Sequence, residues 1–185
     1  MRLFIAVMVP EKLSHTIEQA QKPFEKLKLD AKFVEPTNFH YNLKFLGEVD
    51  EDKIPEIKHA INKIASQHSK FDAYISGIGA FPSKNYARVI WAGATEGSKR
   101  LEAIANQVDK AMGKLGFPEE SRPFTAHLTL CRLHSGFNDP KLLKALHTSE
   151  QADFGALTVK KLELVQSILS KAGPIYKTIH EAPLR

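Results

Sequence analysis

The sequence predicts a mixed α and β fold in which two similar lobes face each other across a groove. Three observations carry that prediction. Apolar residues recur at alternating strand and helix spacings along the chain, and the same order of elements runs twice. The second strand of each run holds a histidine in matching company. The 185 residues are 43% hydrophobic and 25% charged, a composition that can bury a core as one domain or as two fused lobes.

The first run opens with Leu3–Val9, an apolar strand that Pro10 ends. Leu13, Ile17, Phe24 and Leu27 line one side of a helix that Pro23 bends or divides. Phe39–Leu46 reads as a strand closed by Gly47, and Ile54, Ile57, Ile61 and Ile64 form a helix stripe. Phe71–Phe81 follows as a strand loosened by Gly77 and Gly79. In the second run, Val89–Ala92 is a strand and Leu101, Ile104, Val108 and Leu115 make a helix stripe ending at Gly116. His127–Leu133 is a strand, Lys141–Leu146 a short helix, and Phe154–Ile168 a long extended segment. A last strand, Ile175–Ile179, follows the Gly173-Pro174 turn. The repeats are expected over about 1–83 and 86–185, packed without a linker as a single domain spanning 1–185.

Composition narrows the function. The formal charge of +5 permits a polyanionic partner without demanding one. The single cysteine, Cys131, excludes an internal disulfide and any multi-cysteine metal site. Leu3–Val9 is too short to cross a bilayer, so no membrane association is expected and the cytoplasm is the expected location. There is no His-Glu-x-x-His helix for a catalytic metal and no Gly-x-x-x-x-Gly-Lys-Ser/Thr loop for ATP, so neither metal nor cofactor is expected. A monomer is expected.

The chemistry is concentrated in the two histidine strands. Residues two apart on a strand share a face, which groups His40 with Asn42 and His127 with Thr129. Each strand can bury its apolar face and present an imidazole beside a small polar group. An imidazole moves protons near neutral pH, and an amide or hydroxyl donates to a phosphate oxygen. Phosphodiester hydrolysis needs a base for the water and an acid for the departing oxygen, and two opposed histidines supply both. One such tripeptide alone would more often be structural; two in matching places are specific.

The segments His40-Tyr41-Asn42-Leu43-Lys44-Phe45-Leu46-Gly47-Glu48 and Arg122-Pro123-Phe124-Thr125-Ala126-His127-Leu128-Thr129-Leu130-Cys131-Arg132 resemble the paired signatures of the two-histidine phosphoesterases. The most similar branch is the RNA 2′,3′-cyclic phosphodiesterases, also called 2′-5′ RNA ligases, and the resemblance runs from Met1 to Tyr176. It implies a bilobal α+β fold in which two antiparallel sheets, flanked by helices, form a V-shaped cleft. It implies that the partner is RNA ending in a 2′,3′-cyclic phosphate, opened to a 2′-phosphate. ATP-independent joining of tRNA halves is the reverse type of reaction. By the same resemblance His127 activates water and His40 protonates the departing 3′ oxygen, although the matching strands leave the two interchangeable from sequence alone. Two positions depart from the family pattern: Asn42 stands where threonine or serine is usual, and Ala126 where proline is usual.

Supporting residues are less determined. Arg132 and Arg122 are the candidate phosphate ligands, since a guanidinium matches phosphate oxygens. Arg132 lies five residues from His127, so a regular strand turns it to the opposite face unless a twist or bulge intervenes. Lys44 shares parity with His40 and is expected on the groove side, while Phe124, Phe45 and Tyr86 are candidates for stacking on a base. Phe81 and Trp91 are assigned to the core, and Cys131 is read as a small buried hydrophobe. Competing readings are an RNA-end-binding protein whose catalysis Asn42 impairs, and a phosphodiesterase for a small cyclic nucleotide.

Overall fold

The predicted periodicities become a run of antiparallel strands interrupted by α-helices. The computed structural model describes residues 1–171 and 173–185, and the side chains of all of these but 136 and 137. In chain order the elements are β1 (Arg2–Met8), α1 (Glu11–Glu18), α2 (Lys22–Glu25), β2 (Ala31–Phe33), β3 (His40–Glu48), α3 (Ile54–Ala65), β4 (Phe71–Ser83) and β5 (Tyr86–Ala94). There follow α4 (Ser98–Lys114), β6 (His127–Phe137), α5 (Pro140–Thr148), β7 (Asp153–Val159), β8 (Lys161–Leu169) and β9 (Pro174–Pro183). Pro23 divides the first predicted helix, because proline fits the first turn of α2 but not the interior of a longer helix. The extended segment Phe154–Ile168 is two strands. It breaks at Lys160, where the chain leaves β4, the partner of β7, to pair with β1. Three-residue β2 is too short to carry a readable period.

The strands order as β7-β4-β5-β6-β3-β1-β8-β9, with β2 paired off this path to β6. The two expected antiparallel sheets are therefore joined, among the described residues through the single β3–β6 register pair Tyr41↔Leu128. Beyond that point the edge of β6 is taken by β2, through Phe33↔Cys131, Lys32↔Arg132 and Ala31↔Leu133, so β3 and β6 part. The Tyr41 hydroxyl donates to the Gly93 carbonyl at 2.9 Å and pins the seam. Each sheet mixes early and late chain: β4 lies beside β5 and β7, while β1 lies beside β3 and β8, with β9 on the far side of β8.

Alternation along β1 shows how the faces divide. Leu3, Ile5 and Val7 enter the main core together with the buried stripe Ile57, Ile61 and Ile64 of α3 and Leu101, Ile104 and Val108 of α4. Each such side chain contributes roughly 1.5–3 kcal/mol by leaving water. Phe4 and Ala6 point the other way and form a small separate cluster with Val165, packed by Met8 and Tyr176. That second face carries the candidate site. Among the described residues no helix is long and apolar enough to cross a membrane.

Candidate active site

The two histidines open their strands at equivalent places, His40 across from Met8 of β1 and His127 across from Gly93 of β5. Each ring is tied back to the carbonyl two residues earlier. His40 Nδ1–H donates to Asn38 at 2.7 Å, and His127 Nδ1–H donates to Thr125 at 2.8 Å. A carbonyl can only accept, so both Nδ1 atoms carry the proton and both Nε2 atoms are left free on the far side of the ring. Aromatic rings steady each imidazole: Phe4 and Tyr176 lie 5.0 and 5.4 Å from His40, and Phe81 and Trp91 lie 5.1 and 6.5 Å from His127.

Burial holds the His40 pKa below its usual 6.5, against the bond to Asn38, which raises it; charge on His127 or Arg132 lowers it further. Burial likewise lowers His127, against its bond to Thr125 and with help from Arg132. Both groups share one cavity of about 490 Å³, which Asn42, Thr129, Arg132 and Tyr176 also line. The carbonyl oxygen of Asn42 is buried with no hydrogen-bond partner among the described residues. The oxygen and NH₂ of an asparagine amide are assigned by their hydrogen bonds, so the amide turned over, with the two exchanged, is equally compatible with this position.

A pair of bulges decides which side chains reach the cavity. Between Thr129 and Cys131 strand β6 advances two residues while β5 advances one, from Trp91 to Ile90. Leu130 and Cys131 are consequently both buried, and Arg132 emerges on the histidine face. Strand β3 does the same between Asn42 and Lys44, against Ala6 and Ile5. Leu43 and Lys44 are both buried, and Phe45 takes the place in the cavity that strict alternation assigned to Lys44.

Lys44 is thereby corrected: it lies on the opposite face, 2% exposed, 2.6 Å from Asp109 and hydrogen-bonded to the Pro118 carbonyl. Arg122 is exposed and does not line the cavity. Phe124 lines a neighbouring pocket rather than the histidine cavity. Burial pushes the Cys131 thiol up to about 12, in keeping with an inert core residue. Among the described residues no three His, Cys, Asp or Glu side chains gather as a metal site.

The sequence profile of the LigT-like phosphoesterases matches the chain twice, over residues 7–91 and 93–176. The chain belongs to that family. A Methanocaldococcus jannaschii RNA 2′,3′-cyclic phosphodiesterase is 39% identical over 98% of this chain and 99% of its own. The Aquifex aeolicus RNA 2′,3′-cyclic phosphodiesterase is 32% identical, over 97% and 95%. A solved Thermus thermophilus structure superposes with a TM-score of 0.84 at 28% identity, covering 100% of this chain and 98% of that one. The E. coli LigT structure with 3′-AMP, at 23% identity, shares the fold with a TM-score of 0.79 over 99% and 97% of the two chains.

In this LigT-like phosphoesterase the cavity also holds residues that sequence reasoning missed. Arg2 and Phe4 come from β1, and Ser167, Leu169 and Tyr176 from the β8–β9 hairpin. Arg2 sits 5.2 Å over the Phe45 ring. Alternation along β1 could have grouped Arg2 with Phe4, but nothing local says that their face meets β3. The whole arrangement offers two imidazoles that can transfer protons through Nε2, two fixed positive charges on Arg2 and Arg132, and three small polar side chains, Asn42, Thr129 and Ser167, around a space of nucleotide size.

Proposed function

We propose that this phosphoesterase opens the 2′,3′-cyclic phosphate at an RNA end and leaves a 2′-phosphate beside a free 3′-hydroxyl. The observation that carries the reading is the matched pair of imidazoles, each tied back through Nδ1 and each offering Nε2 to one cavity that also holds Arg132. Neutral His127 takes a proton from water through Nε2 as the water oxygen bonds to phosphorus. The phosphorus–O3′ bond breaks, and the departing oxygen takes the Nε2 proton of protonated His40. Each transfer is worth roughly 10²–10⁴ in rate. Arg132 balances the phosphate charge, while Thr129 and the NH₂ of Asn42 donate to non-bridging oxygens. The step needs no metal.

A 5′-hydroxyl of a second RNA in the place of water gives a 2′-5′ linkage without ATP, and tRNA halves are substrates of that kind. We place the protein in the cytoplasm as a monomer, where the single thiol of Cys131 stays reduced.

The test is a short RNA ending in a 2′,3′-cyclic phosphate, incubated in excess chelator with wild type, His40→Ala, His127→Ala and Asn42→Thr. Wild type is expected to form the 2′-phosphate, each alanine variant to lose about 10² or more in kcat, and Asn42→Thr to stay within an order of magnitude of wild type. Bound but unconverted RNA that Asn42→Thr turns over would make the natural protein an end-binding one. Activity killed by chelation and restored by added metal would defeat the metal-free step.

A further inference from the structure

Beside His127, outside the histidine cavity, lies a second pocket of about 540 Å³, lined by Trp91, Gly79, Gly93, Phe124 and Ala126. Its floor is built with care. A Cβ on Gly79 would stand 2.2 Å from the Trp91 indole, and one on Gly93 would stand 3.3 Å from the same ring and 3.0 Å from the Ser76 carbonyl. Two glycines thus let the indole lie flat against β4 and β5. The ring is only half-buried, yet its Nε1–H is buried with no acceptor among the described residues. An orphaned donor costs about 1–3 kcal/mol, so the ring's position serves something other than its own hydrogen bonding. The sequence assigned Trp91 to the core, but the structure makes it a paved aromatic surface 6.5 Å from the His127 ring.

The charge on this pocket is one negative in excess, two carboxylates against one ammonium. Lys84 is held by Glu150 at 2.8 Å, and Glu102 also faces the space. Such a lining suits an uncharged aromatic ring better than a phosphate, and Phe124 adds a second aromatic wall. The histidine cavity, about 490 Å³, already has room for the terminal nucleotide with its phosphate.

We infer that the Trp91–Phe124 pocket takes the base of the penultimate nucleotide, the one 5′ of the residue bearing the cyclic phosphate. This rests on the RNA-end reading above. It makes the pocket the element that distinguishes an RNA strand from a cyclic mononucleotide, because only a strand reaches both spaces. Stacking on an aromatic side chain is worth roughly 1–3 kcal/mol per base.

Trp91 is the sole tryptophan of the chain, so its emission is read with no other indole contributing. Wild type is titrated with a nucleoside 2′-phosphate and with a dinucleotide ending in a 2′-phosphate. In parallel, kcat/KM is measured for the matching cyclic mononucleotide and cyclic dinucleotide with wild type, Phe124→Ala and Trp91→Leu. Quenching by the dinucleotide and not by the mononucleotide is expected. The dinucleotide-to-mononucleotide ratio of kcat/KM is expected to fall about tenfold in the variants. Equal quenching by both ligands, or none by either, overturns the assignment even where wild type converts both substrates. A wild type that converts neither overturns the RNA-end reading itself and this inference with it.

Discussion

The Nδ1 bonds to Asn38 and Thr125 give the two histidines one tautomer, and burial gives them one direction of pKa shift. Their difference lies in what stands around them. Asn38 is itself buried and its side-chain amide donates to the Pro174 carbonyl at 3.0 Å, so the support under His40 is clamped to the β8–β9 hairpin. The equivalent residue under His127, Thr125, is exposed. Both free-enzyme pKa values lie below 6.5, and the proposed step uses one histidine neutral and the other protonated. The pH profile of kcat/KM is therefore expected to be a bell whose maximum falls below about pH 6.5. Rate measurements at subsaturating substrate across the pH range check this. A maximum well above neutrality would show that these two groups do not control the reaction.

Among elements, the bulges in β3 and β6 matter more than any single contact. Each inserts one residue after the second polar position and reverses the parity of the residues that follow, until a second shift in each pairing. Arg132 gains the cavity by this device and Lys44 loses it. Lys44 instead becomes a buried cation whose ammonium lies 2.6 Å from Asp109 and 3.6 Å from Glu120. It ties β3 to α4 and to the segment before β6, whose Glu120 N–H also binds Asp109. Lys44→Ala strands the Asp109 carboxylate and is expected to cost about 3 kcal/mol in urea unfolding, while KM of the folded fraction holds. Arg132→Leu is expected to show the converse, a large loss of rate with little loss of stability. A Lys44→Ala variant that weakens substrate binding as Arg132→Leu does would return Lys44 to the cleft.

At the scale of the whole molecule, the seam at Tyr41↔Leu128 places titrating groups where folding buries them. The unfolded chain protonates His40 and His127 near pH 6.5, whereas the folded chain resists until lower pH. Between those values the unfolded state binds more protons, so stability is full above about pH 6.5 and falls as the pH drops towards the folded pKa values. Urea midpoints measured from about pH 7.5 down to about pH 5 are expected to fall less steeply for His40→Asn than for wild type. Parallel curves would mean that burial does not discriminate against the charged ring.

What the sequence determined by itself is whatever depends on short-range period and on residue chemistry. Strand and helix stripes, the dividing role of Pro23, the pairing of His40 with Asn42 and of His127 with Thr129, and the inert character of Cys131 all follow from spacings of a few residues. Tertiary structure decided the rest. A bulge depends on which strand lies alongside, so the fates of Lys44, Phe45 and Arg132 wait on β1 and β5. Lys160 separates two strands only because β4 and β1 lie in different halves of the sheet. Trp91 reads as core until Gly79 and Gly93 are seen beneath it, since burial is a property of neighbours brought together by folding.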